Sequence, residues 1–358
     1  MTGLSPDDLE LVRGLVAIPS VSRQEGDAVE WLVARMAERG FRASVDDVGN
    51  AVGEIGDGPF RVVLLGHIDT VPGEIPVRIE NDELIGRGVV DAKGPLAAFV
   101  AAATRSVPGV SVTVVGAVEE ESPTSAGARY RATLPAPDWC VIGEPSGWAA
   151  ATIAYKGRLA LRLHFAREAR HGAAPGPTST EEALSLWELV RAAADLRTPG
   201  ASGFAKLDCR LEGANGGSTD GLIERAELRV GYRIPPGITS AELEDQVRKI
   251  AKGYSGDAHV TVETLASEEP ARTPRTTPLA RAFVAGIAAV GGSATFKVKS
   301  GTSDMNILAP AWGCPMVAYG PGDSKYDHTP MERLPLADYE RAITVLRTVL
   351  ERAGNPRI

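Results

Sequence analysis

The sequence predicts an α/β protein: a mostly parallel sheet with helices on both faces, interrupted by an inserted α+β segment. Three observations lead there. Apolar runs alternate with helical periods through the first part of the chain, as in βα units. Three of those runs end directly on residues of metal-ligand type. At Lys156 the texture changes to strict apolar–polar alternation, and it changes back after the Pro- and Thr-rich stretch ARTPRTTP. The reading is therefore a split first domain, residues 1–156 and 272–358, with a second domain inserted at 157–271. With 358 residues the chain exceeds the size at which a single core usually divides, which agrees with two domains.

In chain order, residues 6–18 and 27–39 read as helices. In the second, Ala28, Leu32, Val33, Met36 and Ala37 recur at helical spacing and Gly40 suits the stop. Short strands are expected at Ala43–Val45 and Ala51–Ile55. The run Arg61–Leu65 is a buried strand that leads into Gly66-His67-Ile68-Asp69. Side chains alternate along a strand, so His67 and Asp69 point the same way from its end. Asp91 follows on a Gly-rich turn, before an Ala-rich helix (96–107) for which Pro95 is a suitable early residue. Val110–Val118 is a second buried strand, running into Glu119-Glu120-Glu121. Trp139–Ile142 is a third, running into Gly143-Glu144.

Beyond Lys156, Leu159, Leu161, Leu163 and Phe165 face one way and Arg158, Arg162 and His164 the other. That is an antiparallel strand with one face exposed. A helix is expected from about 180 to 196, capped by Ser179 or Thr180, and another at 240–252. Alternating strands are expected at 204–212, 227–234 and 259–265. Back in the first domain, 279–290 is helical, 295–299 is extended, 315–319 is a fourth buried strand, and 336–352 is the last helix.

Composition limits the function. A net charge of −8 argues against a general nucleic-acid surface. The N-terminal stretch MTGLSPDDLELVRGLVAIPS is acidic and amphipathic, unlike a signal peptide. No apolar run approaches the roughly 20 residues needed to cross a membrane. The three cysteines are scattered, as buried thiols of a reducing compartment would be, so a cytoplasmic enzyme is expected. In open α/β sheets the site lies beyond the carboxyl ends of the strands. His67, Asp91, Glu121, Glu144 and His328 all follow strands or lie on adjoining loops. Two histidines and three carboxylates suit a pair of divalent ions with one carboxylate shared, and Asp91 on its Gly-flanked turn is the best bridge.

The segments GHIDTVPG, GRGVVDAKG, the Glu triplet, IGEP, RHGAAP and YGPGDSKYDHTP, in this order, resemble those of the M20 metallopeptidase clan, which includes acetylornithine deacetylase and succinyl-diaminopimelate desuccinylase. The resemblance covers nearly the whole chain. It implies two zinc ions, or cobalt, in a domain interrupted by a lid that is often the dimerisation domain, and so a homodimer. It makes His67 and Glu144 ligands of one metal, His328 a ligand of the other, Asp91 the bridge and Asp69 the carboxylate that orients His67. Aligned on the Ser-Ala-Gly downstream, it makes Glu120 the general base and Glu121 a ligand. The other register would make Glu119 the base and Glu120 the ligand. His171 matches a lid histidine that stabilises the tetrahedral oxyanion. Arg233, Ser300, Gly301, Thr302, Ser303 and Asn306 are candidates for holding the substrate's polar ends.

More narrowly, GEIPVRIENDELIGRGVVDAKGPLAAF, EEESPTSAGAR and SGTSDMN look like hydrolases that release lysine or ornithine from a small acidic amino-group carrier protein in lysine or arginine biosynthesis. The bond there is an amide on the side-chain carboxyl of the carrier's C-terminal glutamate. Acetylornithine deacetylase, or a related N-acyl amino acid deacylase or dipeptidase, is the alternative. His164 and His259 read as ordinary structural histidines. Arg158, Arg162, Arg167 and Arg170 read as a solvated face, with docking of an acidic carrier as the other use. A serine esterase built on Ser324 and His328 is rejected, because four residues on one loop cannot supply a triad and the carboxylates would be left unexplained.

Overall fold

The computed structural model describes residues 3–105 and 107–354, so Ser106, near the end of the predicted 96–107 helix, lies outside the described residues. The chain divides into two compact units. One runs through residues up to 154, 272–298 and from 303 onward; the other holds Tyr155–Ala271 and Lys299–Thr302.

The first unit is built on a nine-stranded sheet. Its central part runs in the order Arg42–Val45, Ala51–Ile55, Val110–Ala117, Phe60–His67, Trp139–Gly143, Met316–Ala318. Phe60–His67 pairs in parallel with both Val110–Ala117 and Trp139–Gly143, and Met316–Ala318 extends the parallel set. Ala51–Ile55 and Arg42–Val45 add antiparallel strands at one side, so the sheet is mixed and mostly parallel at its centre. The helix Lys93–Ala103 is buried on every side. It packs on the sheet and under the helices Pro6–Ala17 and Leu336–Gly354, which is why its sequence shows no polar stripe. A small three-stranded sheet, Arg333–Pro335, Glu83–Ile85 and Arg78–Glu80, was not expected from the sequence. Its strands have three residues each, too short for an alternation to show.

The second unit is a four-stranded antiparallel sheet in the order Asp208–Thr219, Ile223–Ile234, Gly157–Glu168, His259–Glu268. Leu159, Leu161, Leu163 and Phe165 enter its core with Leu228, Val230 and Tyr232. The helices Ser179–Asp195 and Ser240–Gly253 cover that face. The cap of the first helix is Thr178, not Ser179 or Thr180. Glu181 reaches back to Thr178 in a capping box, and that reciprocal pair decides among three neighbouring hydroxyls. The strand expected from Phe204 starts at Asp208, because Gly203–Ala205 forms a 3₁₀ turn. Buried Lys156 holds that turn, donating to the carbonyls of Gly203 and Lys206 and to the Asp208 carboxylate.

One close approach sets the strand ends. Gly66 and Gly143 are register partners on neighbouring strands. A Cβ on Gly143 would meet the Gly66 Cα at 2.8 Å and the Phe99 ring at 3.0 Å. Because His67 and Glu144 are the next residues, this contact fixes how near they come. Gly143→Ala is expected to lower stability by about 1–3 kcal/mol through overpacking. A thermal midpoint equal to that of the parent would contradict the contact.

Candidate metal centre and active site

Three parallel strands deliver His67, the Glu119–Glu121 loop and Glu144 to one end of the sheet. His67 and Glu144 are buried, Asp91 and Glu121 are partly buried, and His328 is exposed. Asp91 sits between the histidines. Its Oδ1 lies 3.1 Å from His67 Nε2 and its Oδ2 lies 3.1 Å from His328 Nε2. His328 Nε2 is also 2.8 Å from Glu121 Oε1. Two sets of donor atoms, His67–Asp91–Glu144 and Asp91–Glu121–His328, each fall within 4.8 Å of one another. Imidazole nitrogen and carboxylate oxygen are the donors zinc and cobalt take. A carboxylate whose two oxygens face different imidazoles is the arrangement a bridging ligand needs, so the residues fit a pair of such ions.

Asp69 is fully buried and holds the neighbouring loop more tightly than the ring. Its Oδ1 accepts from the Glu120 N–H at 3.0 Å and its Oδ2 from the Glu121 N–H at 3.0 Å and the Ser22 hydroxyl at 2.7 Å. His67 Nδ1 lies 3.5 Å from the Asp69 carboxylate but 2.9 Å from its backbone carbonyl. That carbonyl accepts a proton only from Nδ1–H, which leaves Nε2 free as a ligand. Asp69 thus orients the ring through its main chain and the Glu triplet through its side chain.

The three glutamates divide. Glu119, at φ 62°, turns to Ser122 and Thr124, with Arg23 at 3.7 Å. Glu121 faces His328 and Asp91. Glu120 groups with His67 and Glu121. Burial pushes the Glu120 carboxyl well above its usual range; His67 opposes this, and the negative charges of Asp304, Glu144 and Glu121 add to it. For His67 burial disfavours the charged ring. The bonds to Asp69 and Asp91 and the field of Glu120 outweigh that and hold its pKa well above 6.5. The bonds of His328 to Asp91 and Glu121 push it up to about 10. Burial would raise Asp91, but the two histidines hold it well below the usual carboxylate range.

The remaining predicted residues lie as follows. Ser303 and Asn306 form the capping box of the helix Asp304–Trp312, the Ser303 N–H donating to Asn306 Oδ1 at 2.9 Å. Ser300, Gly301 and Thr302 belong to the second unit, as do Arg233 and His171. His171 is on an exposed loop and its Nδ1 accepts from the Ala173 N–H. Arg233 is partly buried and its Nη1 has no hydrogen-bond partner among the described residues. Two acidic residues near the site escaped the sequence reading. Asp304 is buried, with Oδ1 unpartnered, and burial together with Glu144 and Asp69 raises it to about 7 against the pull of His67. Glu332 is 1% exposed and accepts from the backbone of the Asp91 turn. Asp304 lies inside the segment SGTSDMN already singled out, and Glu332 two residues after DHTP, so membership of or proximity to those motifs was the available signal.

The family model for peptidase family M20/M25/M40 matches residues 63–352. A LysW-lysine hydrolase of Deinococcus radiodurans is 44% identical over 96% of this chain and 96% of its own. A Thermococcus kodakarensis protein bearing the provisional name LysW-lysine/LysW-ornithine hydrolase is 39% identical over 97% of this chain and 92% of its own. The fold matches that of an M20 family metallo-carboxypeptidase from Sulfolobus solfataricus, with TM-score 0.77 at 16% identity over 98% of this chain and 100% of that one. The match over most of the chain and the level of identity together place it: this protein belongs to peptidase family M20/M25/M40 and is a metal-dependent hydrolase.

Proposed function

We propose that the protein is a di-metal amide hydrolase that releases lysine, ornithine or both from the C-terminal glutamate side chain of a small acidic carrier protein. The observation that carries the reaction class is Asp91, whose two oxygens face two histidines, one at a strand end and one on a distant loop. What supports the substrate is the 44% identity, over nearly both full lengths, to a LysW-lysine hydrolase. His67 and Glu144 are assigned to one zinc or cobalt ion, Glu121 and His328 to the other, and Asp91 to both. Such a pair, when bound, supplies Lewis acidity that makes water a nucleophile near neutral pH and polarises an amide carbonyl.

The chain's own residues do the rest. Glu120, whose carboxyl burial raises well above its usual range, is assigned to take a proton from the attacking water and pass it to the leaving amine. His171 is assigned to the developing oxyanion. Arg233, with an unpartnered guanidinium nitrogen, suits a substrate carboxylate. We assign residues 157–271 as lid and dimerisation domain. Three free cysteines support a cytoplasmic setting.

Enzyme loaded with zinc or cobalt should be offered carrier-lysine, carrier-ornithine and N-acetylornithine side by side. Cleavage of a carrier conjugate is expected. Rapid cleavage of N-acetylornithine with neither conjugate touched would favour the deacetylase instead.

Glu120→Gln is expected to cut kcat by about 10²–10⁴-fold while two ions per chain remain bound. Loss of an ion from Glu120→Gln, with Glu119→Gln abolishing turnover, would select the other register. His171→Ala is expected to lower kcat by about 10²–10³-fold at unchanged metal content; an unchanged kcat removes His171 from the reaction.

In metal-free protein His328 is raised from 6.5 to about 10. A histidine raised by folding contributes stability that is complete below its unfolded pKa and is lost as pH rises through the folded one. The stability difference between metal-free parent and His328→Gln should therefore shrink between pH 6.5 and about 10. Urea unfolding across that window checks this, and a constant difference would refute it.

A further inference from the structure

The His328 loop and the Asp91 turn are distant in sequence, yet one side chain joins them. Glu332, four residues after His328, is 1% exposed. Its Oε1 accepts from the Val90 N–H at 2.9 Å and the Asp91 N–H at 3.0 Å, and its Oε2 from the Gly88 N–H at 3.0 Å. Arg87 Nη1 donates to the same Oε2 at 3.0 Å and to the Thr329 carbonyl at 3.2 Å. Arg87 Nε donates to the Gly73 carbonyl. Three backbone donors of one turn converge on a single carboxylate, which is an anion nest. Among the described residues no second carboxylate serves these donors, and the burial of Glu332 leaves water little access to replace it.

We propose that Glu332 is a positioning residue: it sets the spacing between Asp91 and His328, and so the affinity of the metal site those two share with Glu121. The inference rests on the metal assignment proposed above. Glu332 binds the Asp91 N–H itself, so its carboxylate fixes the main chain from which the bridging side chain extends. It is also tied by four residues of chain to His328, and Arg87 clamps the intervening Thr329 to the same hub. His67 instead ends a strand of the sheet, and Glu144 directly follows the neighbouring strand. A ligand's supporting hydrogen bonds commonly change metal affinity about 10–100-fold when removed. Because His328 serves one ion alone while Asp91 serves both, the loss should fall more heavily on the ion held by His328.

The test uses the full chain stripped of metal and titrated with cobalt(II) alone, followed by its visible absorption and by calorimetry. The parent should take two ions. Glu332→Gln keeps the side chain's shape but turns an amide N–H₂ toward backbone donors. It should weaken the first ion much less than the second, which should bind about 10–100-fold more weakly, with an altered cobalt spectrum for that step. Arg87→Lys keeps the positive charge but shortens the clamp on Thr329, and should weaken the same ion by less. Glu332→Gln binding both ions like the parent, even with a lowered thermal midpoint, would show a structural role only and overturn the proposal. Equal weakening of both ions would overturn it too. Where Glu332→Gln does not fold, parental binding of both ions by Arg87→Lys overturns it. A parent that binds no cobalt would instead remove the metal assignment on which the proposal stands.

Discussion

The structure depends on one carboxylate shared by two imidazoles. Asp91 can meet His67 and His328 at once only if a strand end, a Gly-rich turn and a distant loop arrive at the same place. The parallel strands bring His67 and Glu144 there, the buried Lys93–Ala103 helix anchors the turn, and the tie from Glu332 brings the third. The electrostatic consequence is severe. Asp69, Asp91, Glu120, Glu121, Glu144 and Asp304 gather in a partly desolvated space, where like charges repel strongly. The shifts show how the metal-free protein relieves this. Both histidines are driven toward the charged form, and Glu120 and Asp304 toward the neutral one. Divalent cations relieve the same repulsion more completely, and they displace the histidine protons in doing so.

Much of this was legible because the signals are local. An apolar run that ends on His67 or Glu144 announces a buried strand with a polar task at its end. The alternation from Arg158 to Phe165 announces a sheet with one covered face. What escaped reading depends on pairings between residues far apart. The helix Asp304–Trp312 holds Pro310 and follows a Ser-Gly-Thr loop, so its sequence resembles a coil until the Ser303–Asn306 box and tertiary packing close it. The Ala150–Tyr155 strand is buried throughout, and a short apolar run of that kind does not distinguish strand from helix. Glu332 reads as an ordinary charged residue beside Arg333, since its four partners lie about 240 positions earlier.

The arginines of the second unit illustrate the same limit from the other side. In sequence, Arg158, Arg162, Arg167 and Arg170 suggest a basic face. In the structure Arg162 is bridged to Glu227 and Glu263, Arg167 is buried against Glu182 and Glu224, and Arg170 pairs with Asp257. Three of the four are neutralised by their own unit and offer an acidic carrier little net charge. Arg233 differs, because it is partly buried and keeps one nitrogen unpaired. A partly buried guanidinium nitrogen left without a partner is costly, and that cost falls on this unit whatever charge its surface shows.

This separates what the metal centre decides from what the substrate pocket decides. Under the metal and general-base assignment proposed above, any amide carbonyl that reaches the centre would meet the same polarising and proton-transfer groups, so the centre itself would not distinguish lysine from ornithine. The two differ by one methylene, and an apolar pocket discriminates such a difference by only about 1–3 kcal/mol, or roughly 10–200-fold. A site that recognised a carrier-borne glutamate amide would therefore accept both amino acids unless pocket depth intervened. The ratio of their kcat/KM values is then a measurement of that pocket, independent of the ligands, the bridge and the base. The choice between a carrier conjugate and a free N-acetyl compound is a different matter. It turns on polar groups left unpaired when the carrier is missing, where discrimination reaches 10⁴-fold or more.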